Sequence, residues 1–395
     1  MKFSFTDEQT MFKDGLDRFL EKNCSISARR QMVESKEASS EHLWTGLASL
    51  GVLGVPMSES SGGFGGAGVE AMIVMQQLGK HLVLEPYIPS VILAGGLVDL
   101  CGTDFQKKVL IPELVAGEGK LAFAHTEQLN DEGDTPLSTT ATQSGNKWVL
   151  NGEKKLILGG AATDRFIISA KTQESGQDSG VTLFIAESLD ESITGKAYPL
   201  IDGSRVLDIQ LNDLELGPES VLGTIGKGQG FIDCVYDRAT AAVCAEALGV
   251  MEVVHEMTMD YLRTRRQFGS ALSQFQVLQH RAVDMFINIE EVRSLVINAA
   301  AKGWSDDPKE RIRSVSAAKA LTNRASRHVA QEAIQLHGGM GMTQELPLAD
   351  YVRRLLSIDL MFGGERFQRQ RFANADTQKV DGAAFVSPKK RWKQI

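Results

Sequence analysis

The spacing of apolar residues changes its period twice along this 395-residue chain, and that double switch limits the folds open to it. From Thr6 to about Gly117 apolar positions recur at three- and four-residue steps, as one helix face requires; Met11, Phe12, Leu16, Phe19 and Leu20 in EQTMFKDGLDRFLEKN set the pattern. Thr6 with Gln9 three residues on reads as a capping box opening that helix. Between about Glu118 and Leu222 the runs shorten and alternate, as in KWVLNGEKK, DRFIISAKT, GVTLFIAE and RVLDIQLNDLEL, each bounded by Gly, Asn, Asp or Ser. Such runs make strands, and Asn151-Gly152 predicts a tight hairpin turn. From Gly223 onward the helical period returns in longer segments, about Asp233 to Arg266, Phe275 to Lys302, Pro308 to Leu336 and Ala349 to Phe362. Ala239, Ala241, Ala242, Ala245, Ala247 and Gly249 give the first of these a surface on which a neighbouring helix can pack closely. The order is helical, β, helical, read as domains at 1–118, 119–222 and 223–395, in keeping with roughly 100 to 200 residues per domain.

Composition closes off other classes. The 4 Cys include no CxxC pair and no neighbouring His cluster, so neither a zinc site nor a disulfide framework is expected, and a reducing cytoplasm is. A formal net charge of -8 argues against a dedicated nucleic-acid binder, and Lys389, Lys390, Arg391 and Lys393 read as a solvated terminus. MKFSFTDEQTMFKDG carries charges where a signal peptide would have its apolar stretch, so none is expected, and no run approaches the roughly 18 apolar residues of a membrane span. The Gly-rich stretch Ser58 to Gly68 lacks the GKS or GKT ending of a phosphate-binding loop and reads as a flexible connection.

Two C-terminal segments carry the chemistry. In YLRTRRQFGSALSQFQVLQH a helix bearing Arg263, Arg265 and Arg266 breaks at Gly269, and Ser273 is the expected N-cap of the next; guanidinium groups beside backbone N–H donors suit a bound diphosphate. In AIQLHGGMGMTQELPLADYVRR, Gly338, Gly339 and Gly341 open a loop that allows close backbone approach to a ligand. Taken alone, each is better read as a turn between helices. His125 and His337 read as hydrogen-bonding residues beside turns, His280 and the methionines as packing.

Together, with GVLGVPMSESSGGFGG, the Thr-Glu of HTEQ, NGEKKLILGGAATD, VLGTIGKGQGF, RRQFG with FQ, and QLHGGMGMTQELPLADYVRRL, these segments resemble the acyl-CoA dehydrogenase family over nearly the whole chain. The resemblance implies an α+β multidomain fold: an N-terminal α-helical domain, a middle β-barrel and a C-terminal four-helix bundle. It implies FAD held between the β domain and the bundle, with a neighbouring subunit holding the adenosine diphosphate end, hence a homo- or hetero-oligomer. By position, Arg265, Gln267, Phe268 and Gln276 would contact diphosphate and adenine, while Gln335, Gly338 and Gly339 would face the cofactor across the dimer interface. Phe123, His125 and Thr126 would contact the flavin, through backbone as much as side chains. The implied reaction removes the α proton of an acyl-CoA thioester and passes its β hydrogen to the flavin. Electrons would leave through an electron-transfer flavoprotein or a similar acceptor.

Such a reaction needs a carboxylate base. In many family members it is a Glu before Gly-Thr late in the bundle; here that position is Phe362, followed by Gly363 and Gly364. Other members carry it on an earlier helix before an Arg on the CoA side, which points to Asp237 as the catalytic base and Arg238 as the substrate contact. Read locally, Asp237 is as well explained as an acid near a helix N-terminus. Glu365 and Glu246 are weaker substitutes by helical geometry. The family's TEPxxGSD keeps Thr126 and Glu127 here, but Gln128, Asp131 and Glu132 replace its Pro, Gly and Ser, and Leu156, Ile157, Leu158 and Gly159 replace a later WITN element. These departures resemble a bacterial subgroup that degrades steroid side chains, dicarboxylic acids and other bulky acyl groups. They leave three readings: an acyl-CoA dehydrogenase for such a group, a non-catalytic subunit completing a partner's FAD site, and a flavin monooxygenase or nitroalkane-type oxidase.

Overall fold

A computed structural model describes residues 5–128, 137–174 and 177–375. Asp131, Glu132 and the basic tail beginning at Lys389 lie outside the described residues. The chain opens with helices α1 (Asp7–Asn23), α2 (Ile26–Ser35), α3 (Glu41–Ser49) and α4 (Gly68–Lys80); a π-helical stretch (Tyr87–Gly95) leads into α5 (Gly96–Cys101), and α6 (Asp104–Ala116) follows. The expected capping box is present: the Thr6 hydroxyl accepts from the Gln9 backbone N–H at 3.2 Å, and the Gln9 side chain accepts from Thr6 N–H at 3.0 Å.

The middle region holds β1 (Leu121–Ala124), β2 (Thr140–Ser144), β3 (Lys147–Leu158), β4 (Arg165–Glu174), β5 (Gln177–Glu187), β6 (Ile193–Pro199), β7 (Arg205–Leu216) and β8 (Val221–Leu222). They form one sheet in the order β6-β7-β3-β2-β4-β5-β8, with β1 parallel to β4. Among the described residues the end strands β6 and β8 do not pair with each other, so the sheet is not seen to close into the expected barrel. The two-residue period of the strands sorts their side chains between two cores: Phe123, Ile167 and Leu183 face the helices, whereas Ala122, Ala124, Phe166, Ile168 and Phe184 fill the sheet's own core. The hairpin expected at Asn151-Gly152 is also corrected. The β2–β3 turn falls at Gly145, and Asn151-Gly152 sits inside β3, where the ladder to β7 shifts register; Gly152 has φ +148° and a Cβ there would strike Thr139.

The chain ends in α7 (Gln229–Thr264), a small β9 (Arg266–Gln267) and β10 (Ser270–Ala271) hairpin, α8 (Gln276–Lys302), α9 (Pro308–His337), α10 (Leu348–Leu360) and α11 (Glu365–Asn374). Helices α7 to α10 pack on one another, and α11 lies on α9. Ser273 is not the N-cap of α8. It falls in a 3-10 turn at Leu272–Gln274, and its carbonyl accepts from the Gln279 side chain at 2.7 Å. The small residues of α7 do receive a neighbour, α4. Gly79 lies against the Glu246 carbonyl and Gly249 against the Gln76 carbonyl so closely that a Cβ fits at neither position.

A buried ion network joins the three parts of the fold. Arg354 of α10 grips Glu246 of α7 with two hydrogen bonds of 2.5 and 2.8 Å and reaches Asp202, in the β6–β7 turn, at 2.6 Å. Arg29 of α2 donates to the Asp202 carbonyl and to Asp350 of α10, and Arg30 pairs with the same Asp350 at 2.7 Å. Removing one member leaves buried charges uncompensated. Arg354→Met is expected to cost about 3 to 5 kcal/mol in urea unfolding, and a cost under about 1 kcal/mol would remove the network from its place in the fold.

Candidate active site

Four rings from three regions meet where the sheet touches the bundle. Strand alternation puts Phe123 and His125 on one side of the chain, stacked with centroids 5.2 Å apart and planes 10° apart. Tyr236, in the first turns of α7, presents its edge to both at 6.1 and 5.6 Å. Phe362 packs on Tyr236 at 5.7 Å and 88°. Tyr236 hydrogen-bonds Thr126, and burial pushes its phenol up to about 12, so it stays protonated.

The turn that presents Phe362 is held in an unfavourable backbone conformation. Phe362 has φ +55° and Gly363 φ +90°. Buried Lys319 donates to the Ile358 carbonyl at 2.7 Å and to the Asn323 side chain at 2.6 Å; Asn323 in turn donates to the Gly363 carbonyl, and Gln368 to the Phe362 carbonyl at 2.6 Å. These bonds over-determine the turn and keep an aromatic ring where the sequence resemblance places a carboxylate.

Beneath His125 lies a buried polar cluster. Lys154, fully buried in β3, donates to Glu127 at 2.6 Å, to Ser169 at 3.3 Å and to the His125 carbonyl at 3.4 Å. Glu127 also accepts from the Ser138 backbone and hydroxyl and from Thr139 N–H at 3.1 Å. Burial alone would raise the Glu127 carboxyl, but Lys154 and these donors hold it down to about 2. Burial lowers Lys154 to about 8, which leaves it charged at neutral pH.

The proposed base and its neighbour lie elsewhere. Asp237 is buried in the bundle, one oxygen 2.8 Å from Arg311 Nε of α9 and the other 2.6 Å from Arg371 Nη2 of α11. A carboxylate held between these two guanidinium groups ties α7 to α9 and α11. The Arg238 guanidinium instead stands 5.6 Å from the Trp304 ring, with its Nε buried and without a hydrogen-bond partner among the described residues. Glu246 is committed to Arg354 and Glu365 to Arg327 at 2.7 Å.

The remaining predicted contacts gather at the far end of α7. Tyr261 stacks on His337 at 4.4 Å, which sets the β9–β10 loop beside the loop that follows α9. Arg265, Gln267, Phe268, Gln276, Gln335, Gly338 and Gly339 are all exposed there. Phe268 is 91% exposed, Arg265 pairs with no carboxylate among the described residues, and neither Gly338 nor Gly339 has an atom within 4 Å of a Cβ built on it. Unpaired guanidinium and open backbone fit a dinucleotide's diphosphate, and the neutral cluster of Phe123, His125, Thr126 and Tyr236 fits a planar ring with polar edges. From Tyr236 to Arg265 is 29 helical steps, about 43 Å at 1.5 Å per residue. One dinucleotide cannot span both ends within a single copy of the chain.

Tyr236, Lys154 and Ser169 were not singled out by sequence. Tyr236 was masked by its acidic neighbour, whereas the Lys154-Lys155 pair on a strand carried a usable signal, because alternation must turn one of two adjacent lysines inward.

Residues 6–118 match the model for the acyl-CoA dehydrogenase N-terminal domain and residues 229–375 that for the acyl-CoA dehydrogenase C-terminal domain. A short-chain specific acyl-CoA dehydrogenase of Megasphaera elsdenii is 30% identical over 89% of this chain and 94% of its own. The caffeyl-CoA reductase-Etf complex subunit CarC of Acetobacterium woodii is 29% identical over 86% of this chain and 90% of its own. Among solved structures, the ChsE4-ChsE5 complex of Mycobacterium tuberculosis superposes with a TM-score of 0.86 at 25% identity, covering 96% of this chain and 99% of that one. The chain belongs to the acyl-CoA dehydrogenase family, whose members are FAD-dependent oxidoreductases. Among the described residues no helix is long and apolar enough to cross a membrane.

Because Glu127 titrates near 2 in the folded chain and near 4.5 when unfolded, its contribution to stability is complete above pH 4.5 and is lost as pH falls toward 2. Thermal unfolding followed from pH 7 to 3 should therefore drop steeply below pH 4.5, and less steeply in Glu127→Gln; equal slopes would contradict the assignment.

Proposed function

We propose that the chain is a subunit of an FAD-dependent acyl-CoA dehydrogenase that converts an acyl-CoA thioester to a trans-2-enoyl-CoA. The observation that carries this is the division of cofactor-suited residues between the two ends of α7, which calls for a homo- or hetero-oligomer. FAD, when bound, supplies the hydride acceptor. Phe123, His125, Thr126 and Tyr236 would bind and orient the ring on one side and exclude water around it. Arg265, Gln267, Phe268 and Gln276, with Gln335, Gly338 and Gly339, would hold the diphosphate and adenosine of a cofactor seated in another copy or partner. Domain limits at 118/119 and 222/223, a cytoplasmic location and a bulky or degradative acyl group belong to the same proposal. The π-helical Tyr87–Gly95 stretch, packed between β1 and α7, supports a functional site at this junction, since such windings gather at functional sites. The name of the Acetobacterium relative supports an electron-transfer flavoprotein as acceptor.

A second reading draws on Phe362 and Asp237. With a ring in the usual base position and Asp237 held by Arg311 and Arg371, the aromatic cluster meets no free carboxylate from Asp237, Glu246 or Glu365, which favours a chain that completes an unlike partner's FAD site. Expression alone and with an unlike family subunit separates the two readings. Yellow protein that bleaches with butanoyl-CoA when purified alone supports catalysis by this chain, and colour only after co-expression supports the partner role. No flavin in either preparation contradicts both. Phe362→Glu should raise bleaching about a hundred-fold in a chain that binds flavin, the scale of a positioned base, whereas Asp237→Asn should change it less than about threefold and lower stability instead.

A further inference from the structure

The cluster under His125 contains a directional chain of hydrogen bonds. His125 Nδ1 is 2.8 Å from Ser169 Oγ, and Lys154 Nζ is 3.3 Å from the same oxygen. An ammonium donates and never accepts, so Ser169 Oγ receives a hydrogen bond from Lys154. The serine's own proton then has two acceptors in reach, His125 Nδ1 at 2.8 Å and the Ala124 carbonyl at 3.5 Å. At 2.8 Å against 3.5 Å, distance favours Nδ1 as the acceptor. With Nδ1 accepting, the imidazole carries its proton on Nε2, the ring edge that turns away from Ser169 and makes no hydrogen bond among the described residues. The charges around the ring keep it neutral: burial first, then Lys154, lower His125 to about 3, against an opposing pull from Glu127, and Tyr236 beside it stays uncharged.

We propose that His125, fixed as its Nε2–H tautomer, donates a hydrogen bond to a carbonyl-type oxygen bound in this site, on the flavin ring or on the thioester, and that Lys154 and Ser169 are the positioning residues that set the tautomer. The inference rests on the flavin-dependent reading for its acceptor, but not for the tautomer. Glu127 completes the arrangement, because without it the buried Lys154 ammonium would lack its counter-charge.

The tautomer is read directly by two-bond proton–nitrogen correlation spectra of histidine-labelled protein prepared without flavin, with His125→Gln to assign the resonance. The proposal expects a proton-free Nδ1 and a protonated Nε2 from pH 8 to 5. In Ser169→Ala the balance should move at least about tenfold toward Nδ1–H, and Ser169→Thr should restore it. If Ser169→Ala does not fold, the double variant Lys154→Met/Glu127→Gln, which removes both charges together, should loosen the tautomer in the same way. An Nδ1–H or imidazolium form in the wild-type chain, or an unchanged balance in the variants, overturns the proposal. Titrations locate the acceptor. About tenfold weaker FAD binding in His125→Phe, recovered in His125→Gln, places it on the flavin; unchanged FAD binding with about tenfold weaker butanoyl-CoA binding places it on the thioester. No loss in either titration overturns the donor role. Wild-type chain that binds no FAD in any preparation counts against the proposed function, while the flavin-free spectra still decide the tautomer.

Discussion

The arrangement of this molecule depends on a buried guanidinium. Arg354 is the point at which α10, α7 and the β6–β7 turn share one set of hydrogen bonds, and Arg29 and Arg30 extend that set to α2. Bidentate charge pairs add geometric specificity to the close packing of the apolar core, and this one ties the sheet to the bundle. The aromatic cluster spans the same junction, since Phe123 and His125 come from the sheet while Tyr236 and Phe362 come from the bundle.

Within that frame the site has an uneven character. Its aromatic side is uncharged and held from behind, by Lys154, Ser169 and Glu127 beneath His125 and by Lys319, Asn323 and Gln368 behind Phe362. Three bundle carboxylates are each bound to arginine: Asp237 to Arg311 and Arg371, Glu246 to Arg354, Glu365 to Arg327.

Much of the fold was legible because period is a local property. The helical runs, the strand runs and the capping box at Thr6 all follow from neighbours in sequence, and even the close approach of α4 to α7 was visible in the small residues around Gly249. What failed depended on partners far along the chain. Asn151-Gly152 has the composition of a turn, yet β3 continues through it because β7 offers a ladder on one side and β2 on the other. The family resemblance implied a barrel, and β6 and β8 do not pair among the described residues. The ion pairs of Asp237 were not legible at all, because the two arginines that hold it arrive from 74 and 134 residues later. Ser169 and Lys154 gained meaning only when β3 and β4 placed them under His125.

The central claim is that a flavin dinucleotide joins residues lying about 43 Å apart on α7, and so requires two chains. Sedimentation velocity recorded at a flavin wavelength across a dilution series tests this most directly. The account predicts that flavin absorbance travels only with species of two or more chains and falls away as they dissociate. A monomer that sediments with bound flavin would contradict it.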